Sequence, residues 1–440
     1  MLSALLEDSQ ILQISSSLKG AIAEVIRLRV FQTLQPVQRR NLMFLFAAGL
    51  LFWASLASLL PTLSPYIKQA GASDREVGIV MGAFAIGLLI FRPALGRRAD
   101  QKSRTEVLMI GMVAVAIAPL GYILTQSIPL LFLIRAFHGL SIAAFTTAFS
   151  ALVTDLAPPQ NRGEVLGYMT LVNPLGMALG PAIGGFLQVW AGYTPLFLFS
   201  AGLGFVGTLC ATQIKAPPIE RASSAASQKI HDIPFWKFLW NPRLRIPAFV
   251  LLLIGIAFGT LAVFVPLHIR ETGVNLNVGL FYTAAAIASF GVRLLTGRAS
   301  DNHGRGRFIT ISLLLYAISM VLLWRAHSAS EFLLAGFVEG AGAGIFIPMI
   351  VVLTADRSEP HERGRVFGLC LAGFDYGIAI AGPVMGYFAE AIGYRGLFGV
   401  AAGIALLAFV SFVTLCSKDL AHSLKYSLGS GRDVYALPNH

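Results

Sequence analysis

The sequence predicts an all-α membrane protein with about twelve transmembrane helices, arranged as two six-helix bundles. Three observations predict it. The chain is 56% hydrophobic and only 12% charged, whereas ordinary soluble domains carry roughly 25% charged residues. Apolar runs of about 20 residues, enough to cross the hydrocarbon core at about 1.5 Å per residue, recur along nearly the whole length. The two halves of the chain also repeat each other.

Taken in order, residues 1–40 read as a cytoplasmic N-terminal extension. It opens with acidic Glu7 and Asp8 rather than a basic segment, and no signal peptide is expected. Residues 18–34 fit a basic amphipathic helix on the inner leaflet, and fit a disordered extension equally. Apolar runs then give spans 1 to 6 at 41–67, 77–98, 106–126, 129–153, 163–190 and 194–213, so the N-terminal bundle covers 41–213. Residues 214–244, rich in Ala, Ser, Pro and basic side chains, read as a cytoplasmic linker. Spans 7 to 12 follow at 245–268, 278–299, 308–325, 330–354, 366–390 and 396–416, giving a C-terminal bundle over 245–416 and a cytoplasmic tail over 417–440.

The net charge of +11 does not point to nucleic acid, because no polar segment could fold into a basic binding domain. Membrane topology accounts for it. With the N-terminus inside, about 25 of the 33 Lys and Arg fall on successive inner segments, which orients both termini to the cytoplasm of a bacterial-type inner membrane. Cys210, Cys370 and Cys416 lie in or at the end of spans and are odd in number, so they are expected to be apolar fillers rather than a disulfide framework.

A shift of 201 positions superposes Pro65 on Pro266, Arg92 on Arg293, Gly96 on Gly297, Asp100 on Asp301, Arg104 on Arg305, Gly139 on Gly340, Asp155 on Asp356 and Gly176 on Gly377. After one inserted residue, Gly180-Pro181 meets Gly382-Pro383. Two bundles of parallel topology follow, related by an axis along the membrane normal with a cavity between them.

Three motifs stand on this frame. The loop after span 2, with Gly96, Asp100 and Arg104, recurs after span 8 with Gly297, Asp301 and Arg305. Gly lets a helix end approach its neighbour, Asp suits the positive end of another helix, and the basic residue anchors the inner face. Span 4 carries Arg135 followed by Gly139. A charge inside a span normally faces a cavity or a partner; snorkelling to the nearby outer end is the alternative. Span 5 carries Gly176, Gly180, Pro181, Gly184 and Gly185 in a GxxxGPxxGG pattern, which combines close helix packing with a missing ladder hydrogen bond.

On these motifs, over roughly residues 41–416, the chain resembles the major facilitator superfamily and, within it, the twelve-helix drug:proton antiporter group. The resemblance implies that Asp100 and Asp301 belong to a cytoplasmic latch between the halves, that Arg135 belongs to the substrate or coupling cavity, and that the span 5 motif is a hinge found in exporters. Ser103 and Thr105 depart from the latch pattern of the family. The prolines Pro61 and Pro65 of span 1 also resemble this group.

Two acidic residues fall deep in spans, Glu339 in span 10 and Asp375 in span 11. Desolvation favours the neutral acid, which is the property a proton carrier needs. Glu339 is the repeat counterpart of His138, one turn from Arg135, so Glu339, Asp375 and His138 are proton-coupling candidates; hydrogen-bonded pairs that merely join helices are the alternative. No HExxH, GxSxG or phosphate-loop pattern is present, and no enzyme activity, cofactor or metal is expected.

The expectation is a secondary transporter that exchanges a small amphiphilic or hydrophobic compound for protons, embedded in lipid and working as a monomer without nucleic acid. A proton-coupled importer of a nutrient or organic anion is the rival, and a transport-dead sensor is the rival from another class. The topology is testable: a cysteine placed in 214–244 should be labelled only from the cytoplasmic side, and one near Gly71 only from outside. The opposite pattern would reverse the orientation.

Overall fold

A computed structural model describes residues 34–215, 240–359 and 363–437. The extension up to residue 33 and most of the linker lie outside the described residues. Among the described residues all regular structure is helical.

Span 1 is Pro36–Ser58, continued after a turn by Leu63–Gln69. The turn holds Pro61, which has no amide hydrogen to give to a helix. Spans 2, 3 and 4 are Asp74–Gln101, Arg104–Leu124 and Ile128–Leu156. Ser73 begins span 2 in a capping box with Glu76. Span 5 is Arg162–Met169 followed by Val172–Ala191, and span 6 is Tyr193–Thr212. In the second half, spans 7 to 10 are Arg245–Glu271, Val278–His303, Arg305–Arg325 and Ala329–Asp356. Spans 11 and 12 share the continuous stretch Arg363–Leu415, which Gly393 breaks with a φ of 68°. That left-handed conformation is natural only for glycine. Ten described helices are long and apolar enough to cross a membrane. Dividing Val366–Leu415 at Gly393 and adding the shorter apolar helix Val278–Arg293 brings the ten to twelve passes. The helices overrun the apolar runs by a few residues because their polar ends stay helical.

The amide of Asn41 at the start of span 1 donates to the Lys215 carbonyl beyond span 6 at 2.7 Å, so both lie at one end, here called the linker end. In the N-terminal bundle span 1 packs on spans 5 and 6, span 4 on spans 2 and 3. In the C-terminal bundle span 10 packs on spans 8 and 9, and span 7 on the long helix of spans 11 and 12. Between bundles span 2 meets span 11, and span 5 meets span 8.

The buried core has three parts. One cluster, with Leu63, Met81, Phe197, Phe264, Phe281 and Phe398, takes residues from both bundles at the far end. The other two, around Phe145 and around Phe346, each belong to a single bundle toward the linker end. Among the described residues the bundles therefore share a core at the far end and keep separate cores toward the linker end. Gly78 and Gly382 show why they can close: a Cβ on Gly78 would overlap the Gly382 carbonyl. Toward the linker end, Gly167 of span 5 and Gly368 of span 11 have no described heavy atom within 4 Å of a would-be Cβ. Replacing Gly78 by Leu should part spans 2 and 11 at the far end. In a background lacking Cys210, Cys370 and Cys416, maleimide labelling of Met81→Cys should then speed up several-fold, and an unchanged rate would mean that the seal does not depend on this approach.

Candidate functional site

At the linker end, Arg104 pairs with Asp155 and Arg305 with Asp356, the same ion pair drawn twice by the repeat. Ser103, the departure from the latch pattern, caps span 3 by accepting from the Glu106 amide at 3.2 Å. Arg98 pairs with Glu106. Asp100 is exposed and has no ion pair with a described residue, and Gly96 is partly exposed with open space around it. A latch between halves that are apart at this end would leave its carboxylate in that condition. The side chains of Gly297 and Asp301 lie outside the described residues.

The span 5 motif divides its glycines between two neighbours. Gly176, Gly180 and Gly184 face Trp53, Ala54 and Ser58 of span 1, while Gly185 faces Gly279 of span 8 and Asn277, which caps that span. Pro181 lies inside the helix and leaves its carbonyl against Gly279. One face thus fixes span 5 in its own bundle, and the adjoining face seals the far end against the other.

Arg135 and His138 lie in the N-terminal bundle. The Arg135 guanidinium sits 4.3 Å from the Phe84 ring centroid, a cation–π contact with span 2. His138 is fully buried, with Nδ1 3.2 Å from the Tyr122 hydroxyl of span 3 and its ring edge-on to Phe84. Arg135 Nε and His138 Nε2 are buried without a hydrogen-bond partner. Phe84, Tyr122, Arg135 and His138 make one cluster between spans 2, 3 and 4.

Glu339 takes the equivalent place in the C-terminal bundle and is 5% exposed. The phenols of Tyr282 from span 8 and Tyr316 from span 9 stand beside it. Glu339 Oε1 and the Tyr282 hydroxyl have no hydrogen-bond partner. A buried acid with an unmade hydrogen bond is a functional candidate by default, because burial of such a group in a membrane protein is costly. Glu339 and His138 each lie inside their own bundle, so the repeat places them symmetrically without bringing them together.

Asp375 pairs with Arg92 across the bundle boundary, from span 11 to span 2. This partner was not anticipated, although Arg92 and Arg293 coincide in the repeat and both lie deep in their spans. Tyr122, Tyr282, Tyr316 and Phe84 gave no usable signal, because single aromatics in an apolar helix look like core.

The description "Major Facilitator Superfamily" matches residues 45–302 and 248–425. Multidrug resistance protein MdtG of Salmonella arizonae is 26% identical over 396 residues, covering 87% of this chain and 97% of that protein. MdtG of Dickeya zeae is 26% identical over 397 residues, covering 87% and 96%. Among solved structures, the nucleoside transporter NupG superposes with a TM-score of 0.72 at 15% identity, covering 86% of this chain and 98% of that one. The human organic anion transporter MFSD10 superposes with a TM-score of 0.63 at 19% identity, covering 86% and 100%. These likenesses agree with the twelve passes, the repeated bundles and the paired linker-end motifs: the chain is a multi-pass membrane protein that belongs to the major facilitator superfamily.

Proposed function

We propose that this protein is a proton-coupled secondary transporter of the bacterial inner membrane, with both termini cytoplasmic, that exports small amphiphilic or hydrophobic compounds by alternating access. Export is supported by the multidrug resistance relatives and by the complete glycine–proline motif of span 5, which sits where span 5 meets both span 1 and span 8. The orientation is supported by the excess of Lys and Arg at the linker end. In that orientation the far-end seal is the outer gate, and the described state faces inward.

The observation that carries proton coupling is Glu339, a buried carboxyl group with an unmade hydrogen bond between two phenols. Its protonation changes the charge buried in the C-terminal bundle, so it alters the cost of moving that bundle against the other. Asp375 acts differently. Held by Arg92, it joins spans 2 and 11 at a depth where the bundles otherwise begin to separate, and it serves the inward-facing state as a strut. Arg135 and His138 are turned toward Tyr122 and Phe84, which lends no support to the rival reading of an importer that grips an organic anion with this pair.

Glu339→Gln mimics the protonated acid. In proteoliposomes, transport driven by a pH gradient should fall by at least about tenfold, while substrate counterflow, which needs no change of protonation, stays within about twofold of wild type. A carboxyl group that only joins helices would lower both rates in parallel, together with thermal stability. Full gradient-driven activity in the variant would remove Glu339 from the coupling mechanism.

A further inference from the structure

Arg92 and Arg293 hold the same position in the two repeats, on spans that cross to the opposite bundle. Arg92 runs from span 2 toward span 11 and meets Asp375. The same operation carries Arg293 from span 8 toward span 5, where the counterpart of Asp375 is Pro174. Among the described residues no carboxylate pairs with Arg293, and its Nε is buried without a hydrogen-bond partner. The charged or titratable group that acts on it is the phenol of Tyr316.

Its position sets it apart from the other mid-depth cations. Span 8 meets span 5 nearer the far end, where the Thr283 hydroxyl donates to the Ala178 carbonyl at 3.3 Å, and the repeat puts Arg293 near the same side of span 8, within about 40° of Gly279 at about 100° per residue. It stands about three helical turns beyond that contact, toward the end where the two cores are separate, and it is partly exposed. Arg135, the other mid-depth guanidinium with no ion pair to a described carboxylate, is sealed under Phe84 inside its bundle. A guanidinium at this depth is costly without an anion, and its planar fork suits a two-oxygen acceptor. Glu339 does not supply that acceptor, because it faces Tyr282 and Tyr316 within the C-terminal bundle and is not among the groups acting on Arg293.

We propose that Arg293 is the substrate-anchoring residue and that the transported amphiphile carries an oxyanionic group, such as a carboxylate or phosphonate, which takes the place that Asp375 fills at the other crossing. The inference deepens the export reading and rests on it only for the direction of movement. An anion leaving a cell with a negative interior is driven outward by the membrane potential, so this class of ligand fits export.

Equilibrium binding tests the proposal without any gradient, so loss of proton coupling and loss of this site are separable. With the full chain in nanodiscs at low salt, calorimetry compares 2-naphthoate with methyl 2-naphthoate, which share a ring system and differ in charge. Wild type should bind the acid at least about tenfold more tightly than the ester. R293Q should abolish that preference and leave ester binding unchanged, while R293K keeps part of it. Pro174→Asp supplies the missing carboxylate and should abolish the preference with Arg293 intact, whereas E339Q should leave it in place. The proposal is overturned by a preference that survives R293Q, by wild type binding acid and ester equally or not binding the acid, or by a preference that appears only in E339Q, which would assign Arg293 to Glu339.

Discussion

Contact between backbones at the far end sets the geometry of everything below it. The Gly78 and Gly382 positions, and the Gly279 position against the Pro181 carbonyl, have no room for a Cβ. Spans 2 and 11, and spans 5 and 8, therefore converge at these points and diverge toward the linker end, since helices that touch at one end and are separated at the other must enclose a wedge. Cores follow the same rule: one is shared at the closed end and two are separate at the other. Asp100 is exposed, and the faces around Gly167 and Gly368 are open, because they lie at the wide end of that wedge.

Charges at mid-depth are arranged on this wedge unequally. Three guanidiniums, Arg92, Arg135 and Arg293, share the interior with two carboxylates, Asp375 and Glu339. Each charge placed centrally in a span costs roughly 2.5–3.5 kcal/mol on insertion scales, so each calls for a local reason. Arg92 and Asp375 offset each other across the boundary. Arg135 is stabilised by the Phe84 ring. Among the described residues Glu339 and Arg293 have no ion-pair partner, and both act on the Tyr316 phenol. The groups left uncompensated by the fold are the ones to which a proton and a ligand are assigned.

Much of this was legible in the chain. The apolar runs and the 201-residue shift specify twelve passes and two bundles, because lipid leaves the backbone no other way to satisfy its hydrogen bonds. Even the Arg104–Asp155 and Arg305–Asp356 pairs lie within the matched columns of the repeat. What the chain could not disclose was Asp375 against Arg92. That contact crosses between bundles, and its register depends on where glycines let two helices touch, a distance that no helical period encodes. Tyr316 and Tyr122 were hidden for another reason. A phenol in an apolar helix is counted as hydrophobic, and only the direction of its hydroxyl reveals that it serves a buried acid or imidazole.

The strength of the contacts is distributed unequally within and between the bundles. Within the C-terminal bundle, fully buried Arg357 donates to both carboxylate oxygens of Asp433 and to the carbonyls of Arg243 and Cys416, at 2.7–3.0 Å. It thereby joins the tail to the ends of spans 7, 10 and 12. The repeat counterpart in the N-terminal bundle is buried Leu156, packed in an apolar core. Polar contacts between the bundles at the far end are wetter. Arg270 reaches Gln188 and Tyr193 in an exposed setting, and the Tyr394 hydroxyl donates to partly buried Asp74. Exposed pairs of this kind contribute about 0–1 kcal/mol, whereas breaking a buried charged network costs several times more. Opening the far end therefore separates glycine surfaces and a few solvated clasps while each bundle stays whole, and the strut that resists it is the Arg92–Asp375 pair near the middle.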